Sequence, residues 1–297
     1  MVHQTRQLSS EETAVLVQPA IEKGSWAAIL EEAVRTPGLL HKAYRAFHNY
    51  SLGNQVLAVV QCYHRNLAPG PINTYPGWQR LGRQVMKGEK ALVLCMPVTT
   101  NKHRNDPPSV EREDQQEEGT AHESEATVTR FVFRNNWFVL SQTEGEPYQL
   151  PAMQAWEKAV ALETLEVQEV PFVSFDGNSQ GYAQGRSIAI NPVAALPYKT
   201  LFHELAHIML GHTTDETFKE ARPLNEAEAE LVALLCLESL GLPGTEYSRG
   251  YVQHWLNAAS IPERSAQRIF RAADMILKAG TKQNIEPDPM PQSGAIQ

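Results

Sequence analysis

The sequence is short of cysteine, of long apolar runs and of any signature of secretion. Cys62, Cys95 and Cys236 are the only three cysteines in 297 residues. An odd, widely spaced set without a C-x-x-C pair excludes a disulfide-stapled framework and points to a reducing, cytoplasmic setting. No apolar run approaches the ~20 residues that cross a bilayer, so no membrane partner is expected. Near the N-terminus, Glu11 and Glu12 stand where a signal peptide would carry its apolar core, so secretion is not expected. Hydrophobic residues at 42% and charged residues at 20% exclude collagen and a wholly disordered chain. The length suits two domains.

The net charge of −8 is unevenly spread. Residues 1–97 carry 10 Lys and Arg against 6 Asp and Glu, and residues 151–297 carry 11 against 18. Within 38–97 the count is 7 against 1, Glu89 being the one acid. A basic patch inside an acidic protein implies an anionic partner for that part of the chain. Ordinary variation in surface charge accounts for the same counts.

Periodicity predicts helices over 10–34 and 38–64, a short helix from Trp78 to Val85 and a buried strand over 91–96 that Pro97 closes. Residues 98–127 are acidic and polar with almost no large apolar side chain, and read as a disordered insert. Thr127 to Ser141 alternates and reads as a strand pair turning at Asn135-Asn136. Beyond it come a helix over 151–166 and strands at 170–175 and 187–190 joined by a glycine-rich turn. Helices follow at 196–212, 223–241 and 248–279, and then a proline-rich tail over 281–297 that is expected to be disordered.

His203-Glu204-Leu205-Ala206-His207 is the strongest chemical signal. On a helix, positions i and i+4 share a face, so both imidazoles reach one ion, and Glu204 is placed as general base. The surrounding helix is apolar, and burying these groups without partners would be costly. The competing reading is a surface helix whose histidines are satisfied without metal. A third ligand is expected from the next helix. Glu226 and Glu230, one turn apart, share a face there. Glu226 is read as the ligand and Glu230 as a carboxylate holding a ligand histidine by its other ring nitrogen, although the spacing lets them exchange roles. Glu228, rotated about 200° from Glu226, is expected to face solvent or the helix dipole. His212 is off the ligand face and reads as a helix C-terminal cap beside Gly211.

Residues 63–90 interleave aromatic and basic side chains. Tyr75 and Trp78 can stack on unpaired bases while Arg80, Arg83, Lys87 and Lys90 follow phosphates. Equally, Tyr75 and Trp78 can be core residues of a small domain with the charges on a solvated face.

The run from Asn54 to Gln61, Trp78-Gln-Arg-Leu-Gly82, Val85-Met-Lys-Gly-Glu-Lys90 and Phe138-Val-Leu-Ser-Gln-Thr-Glu-Gly145 together resemble the N-terminal single-stranded-DNA-binding domain of the ArdC antirestriction proteins. Phe202-His-Glu-Leu-Ala-His207, the Glu226 and Glu230 pair, and Tyr251 to Trp255 are similar to the family's metallopeptidase-like domain, which is related to the SprT and ImmA/IrrE groups. In the related ImmA pattern the first Glu of Glu-x-Glu-Ala-Asn/Asp looks like the ligand, which matches Glu226, while Glu230 replaces the Asn or Asp. The resemblance implies a plasmid- or mobile-element-borne protein that shields incoming DNA from restriction.

The expected architecture is α+β in two domains: 1–150 binding single-stranded DNA, and a mostly helical zincin-like unit over 151–280 with a small sheet. The expected activity is that of a zinc-dependent metallopeptidase of the HExxH type, its ion Zn2+ or another divalent metal such as Mn2+. A host restriction enzyme or another protein would be its substrate. The alternatives are a DNA-binding protein whose metal site is structural or inactive, and an ImmA/IrrE-like protease that cleaves a repressor.

Overall fold

The computed structural model describes residues 25–101, 127–150, 152–173, 179–214, 222–258 and 260–281. The architecture is α+β, as expected. In chain order the elements are α1 (Trp26–Arg35), α2 (Leu39–Phe47), α3 (Leu52–His64), β1 (Ile72–Thr74), α4 (Tyr75–Arg80), β2 (Arg83–Val85), β3 (Leu92–Asn101), β4 (Thr127–Val139) and β5 (Thr143–Gly145). They continue as α5 (Lys158–Thr164), β6 (Gln168–Glu169), β7 (Gly181–Gln184), β8 (Ser187–Ile190), α6 (Pro197–Met209), α7 (Arg222–Leu240), α8 (Thr245–Ala258) and α9 (Glu263–Ala279).

Three small sheets result. Their strand orders are β1-β4-β3, β2-β5 and β6-β8-β7, with only the β6–β8 pair parallel. Several expected boundaries move. The helix expected over 38–64 breaks between Phe47 and Leu52 into α2 and α3. The helix expected from Trp78 to Val85 is instead α4 followed by β2. The one expected over 248–279 is α8 and α9. The glycine-rich turn contains β7. The expected insert begins and ends in strand, and its residues 102–126 lie outside the described residues, as do residues 1–24, the tail from 282, and 174–175 of an expected strand.

Pro97 does not end β3. Asn54 of α3 clasps the backbone of Cys95, donating Nδ2–H to its carbonyl and accepting its N–H, both at 2.8 Å. Gln61 clasps Val93 in the same way, also at 2.8 Å. These amides occupy the edge of β3 that faces away from β4. Residues 93, 95 and 97 share that edge by strand alternation, so the N–H that proline lacks would have pointed away from β4. Asn135 and Asn136 do not turn the chain either. β4 runs through them, and Asn136 is the extra residue of a bulge, since Leu92 faces Trp137 and Val93 faces Asn135.

The core is continuous. Side chains of α1–α3, including Leu30, Leu40, Phe47 and Leu57, belong to one apolar cluster with Phe202, Leu234, Ile269 and Ile276. Helix α7 lies at its centre, buried nearly all round from Ala227 to Ser239, and packs against α2, α6, α8 and α9. Carboxylates from the C-terminal helices cap the N-termini of the first three helices. Glu263 accepts the N–H groups of Trp26 and Ala27, Glu238 that of Gly38, and Asp274 that of Leu52. The expected division at 150/151 falls in the irregular stretch between β5 and α5.

Candidate metal centre and basic face

Helix α6 begins with Pro197 in its first turn, where the absent N–H costs nothing. Leu201, Phe202, Leu205, Ala206 and Ile208 are buried and fix its rotation. That rotation brings His203 and His207 toward Glu226 in the first turns of α7. The two Nε2 atoms are 3.1 Å apart. One Glu226 oxygen lies 3.3 Å from Nε2 of His203 and 3.7 Å from Nε2 of His207. Ligand atoms spaced around a tetrahedral ion at ~2.05 Å sit about 3.3 Å from one another, so this triangle matches the edge of such a site. Among the described residues these three form a cluster able to hold a metal ion.

The outer nitrogens fix the ring tautomers. Nδ1 of His203 is 3.1 Å from Glu230, whose carboxylate also takes Nζ of Lys199 at 2.8 Å. A carboxylate only accepts, so Nδ1 of His203 carries the proton and its Nε2 lone pair faces inward. Nδ1 of His207 meets Nδ1 of His212 at 3.0 Å, and Nε2 of His212 meets Glu228 at 3.1 Å. The two Nε2 atoms face one another at 3.1 Å, a spacing that suits a shared cation. Burial opposes the charge on His203, but hydrogen bonds to Glu226 and Glu230 and the nearby Glu204 outweigh it and raise its pKa to about 9. Burial likewise opposes ionisation of Glu230, yet His203, Lys199 and Ser248 lower its pKa to about 2. Hydrogen bonds from His203 and His207 hold Glu226 well below the usual carboxylate range. Glu204 is buried, which pushes its carboxyl up, against the pull of both histidines.

Two expectations about this region are corrected. Glu228 faces neither solvent nor the helix dipole. It is buried between His212 and Arg268, because α7 is covered on the face opposite Glu226 as well. His212 ends the helix with its backbone, its N–H donating to the His207 carbonyl at 2.8 Å, but its imidazole lies on His207. Gly211, at φ 80°, supplies the left-handed turn that brings the ring back. Sequence reasoning also gives Tyr251 no role. Burial raises its pKa, with Glu226 and Glu230 adding to the effect, an electrostatic link to the cluster. The only sequence signal for it is its place in the family motif from Tyr251 to Trp255.

The expected base-stacking set divides. Trp78 is a core side chain, 1% exposed, with its ring edge against Tyr148 and its indole N–H donated to the Phe138 carbonyl at 2.8 Å. No base can stack on it in this fold. Arg83 is engaged internally: its guanidinium donates to Thr143 at Oγ1 and O, and to the carbonyls of Gly145 and Glu146, clasping β2 to β5. Tyr75, Arg80, Lys87 and Lys90 are not enclosed in this way: all four are exposed.

The helix-and-sheet fold thus presents a His-Glu-x-x-His cluster able to hold a metal ion. Residues 10–134 match the family model for the N-terminal domain of anti-restriction factor ArdC. Over that span the chain is similar to the ArdC family. Two solved structures are similar to it, the metal-free and the Mn(II)-bound crystal structures of antirestriction protein ArdC from the R388 plasmid. Each is 21% identical with a TM-score of 0.48; both likenesses cover 91% of this chain, and 94% and 97% of the respective relatives. No curated protein matches the chain. No helix among the described residues is long and apolar enough to cross a membrane.

Proposed function

We propose that this chain is a cytoplasmic antirestriction protein that binds single-stranded DNA through residues 1–150. We further propose that residues 151–280 hold a divalent ion, Zn2+ or Mn2+, in a peptide-hydrolysing site. The observation that carries the metal reading is the triangle of His203, His207 and Glu226, with both imidazole Nε2 atoms turned inward. The residues present fit such an ion by donor type and spacing. When bound, it would polarise a scissile carbonyl and acidify a water. Glu204, its carboxyl raised by burial, would serve as the general base of the site. Tyr251, whose pKa is raised in part by Glu226 and Glu230, is the candidate donor to a developing oxyanion on this reading.

An extended peptide would lie along β7. The sequence suggests strand 186–190 as the edge for this, but among the described residues β8 is the central strand of its sheet and β7 an edge strand. Gly181 of β7 lies directly over α6, since a Cβ there would meet Thr200 at 2.6 Å and Glu204 at 3.3 Å. Tyr75, Arg80, Lys87 and Lys90 are the DNA-facing set on this reading, and the protein partner is a host restriction enzyme or another protein. A second reading keeps the DNA binding and makes the ion structural; that the candidate ligands come from two helices, α6 and α7, favours it.

A paired assay separates the two. Wild type and Glu204→Ala are compared for protection of DNA from restriction and for retention of single strands. If protection is lost while the ion and DNA binding remain, the hydrolytic reading stands. Full protection by Glu204→Ala leaves the structural reading. A wild type that retains no single strands refutes the DNA assignment.

A further inference from the structure

We infer that His212 and Glu228, steadied by Arg268, form a positioning relay that fixes the ring of His207 for metal binding. The inference rests on the metal reading proposed above. It begins with the proton on His207. If Nε2 of His207 is given to an ion, the remaining ring proton must sit on Nδ1. Nδ1 then donates to Nδ1 of His212, 3.0 Å away. His212 can accept there only with its own proton on Nε2, and that nitrogen lies 3.1 Å from Glu228, an acceptor. Each step forces the next, and the carboxylate at the end makes the direction unique.

The relay is built into the interior. The side chains of His212 and Glu228 are 3% and 1% exposed. Arg268 of α9 approaches Glu228 at 3.6 Å and donates to the carbonyl of Leu210, where α6 ends. The turn that carries His212 is thus held from a third helix. His203 has the shorter equivalent, a direct bond to Glu230. A ligand histidine held this way keeps its orientation and gains basicity, and losing such a partner costs about 10- to 100-fold in metal affinity.

The test uses the full-length chain, freed of metal by chelation. Zn(II) affinity is measured by competition with a chromophoric chelator, and Co(II) loading by its visible absorption. His212→Ala should weaken Zn(II) binding by about 10- to 100-fold and alter the Co(II) bands. His212→Gln should recover most of the loss, because its side-chain carbonyl can accept from His207. His212→Leu fills the space without an acceptor and should behave like His212→Ala. Binding by His212→Leu equal to wild type would overturn the relay, and so would an unchanged His212→Ala. Should His212→Ala fail to fold by circular dichroism, the contrast between the Gln and Leu variants decides. A wild type that binds neither ion, and is indistinguishable from His203→Ala, overturns the metal reading and the relay with it.

Discussion

At His203, a proton and a divalent ion compete for one nitrogen. The folded, ion-free chain holds this imidazole at about 9 against the ordinary 6.5. Protonation therefore favours folding: the contribution is complete below pH 6.5 and is lost as pH rises through about 9. Glu230 has the opposite sign, its contribution being present above 4.5 and lost as pH falls through about 2. The two shifts are one interaction seen from both ends, so they are not added. Ion-free protein should lose up to roughly 3 kcal/mol between pH 6.5 and 9, read as a falling Tm. Saturating Zn(II) should remove that loss, because the ion needs the neutral ring; a flat Tm across this range in ion-free protein would refute the pairing. Trp78→Ala tests a second residue-level reading. It should cost about 3–5 kcal/mol of stability, where a stacking role would lower DNA affinity and leave Tm intact. The His203, His207 and Glu226 set is legible in the sequence because i and i+4 spacing is local and chemical. The His212–Glu228 pair is not. Helix geometry turns Glu228 away from Glu226, but what covers that face depends on the burial of α7 all round and on the left-handed turn at Gly211.

At the level of elements, the strands and helix ends are least legible, for a physical reason. Asn-Asn marks a hairpin turn or a bulge with equal ease, and proline ends a central strand but suits an outward-facing position on an edge strand. Only the partner decides. Here the partners are Asn54 and Gln61 of α3, whose amides complete the edge of β3. Gln142 acts likewise, accepting from Val139 and donating to Glu89 and to the Lys90 carbonyl. Motif residues that suggest DNA binding thus include several that hold the sheet. Strand β7 is hidden in the sequence because Gly181-Tyr-Ala-Gln184 has the composition of a turn. Its glycine is required by proximity to α6. In Gly181→Ala, the new Cβ would sit 2.6 Å from Thr200 and 2.9 Å from the Ala189 carbonyl. The strand would have to lift away from Glu204. We expect a loss of about 1–3 kcal/mol by thermal unfolding, and an unchanged Tm would show that β7 already stands off the helix.

Across the whole molecule, the charge asymmetry of the sequence has an internal use. Residues 1–97 are net basic and residues 151–297 net acidic, and three of the acids end on backbone N–H groups at the start of α1, α2 and α3. Part of the acidity that looks like a general property of residues 151–297 therefore serves to join the halves. The shared core makes the same connection through apolar packing, from Leu40 and Phe47 to Leu234 and Ile276. Two consequences are measurable. Each of Glu238→Gln, Glu263→Gln and Asp274→Asn weakens a cap and should lower stability by about 0.5–2 kcal/mol, in keeping with removal of a helix N-terminal partner. A fragment of residues 1–150 lacks all three caps at once and exposes the apolar faces of its first helices. We expect it to be aggregated or to lack a cooperative thermal transition, while the full chain unfolds cooperatively; circular dichroism and size-exclusion chromatography distinguish these. DNA binding by the basic face is then properly tested in the full chain, with charge-removing changes at Arg80, Lys87 and Lys90. Each phosphate that a variant no longer neutralises should reduce the salt dependence of single-strand binding by about 0.7 in log–log slope. A soluble, monomeric and cooperatively folded 1–150 fragment would show that the first three helices need neither the shared core nor the borrowed caps.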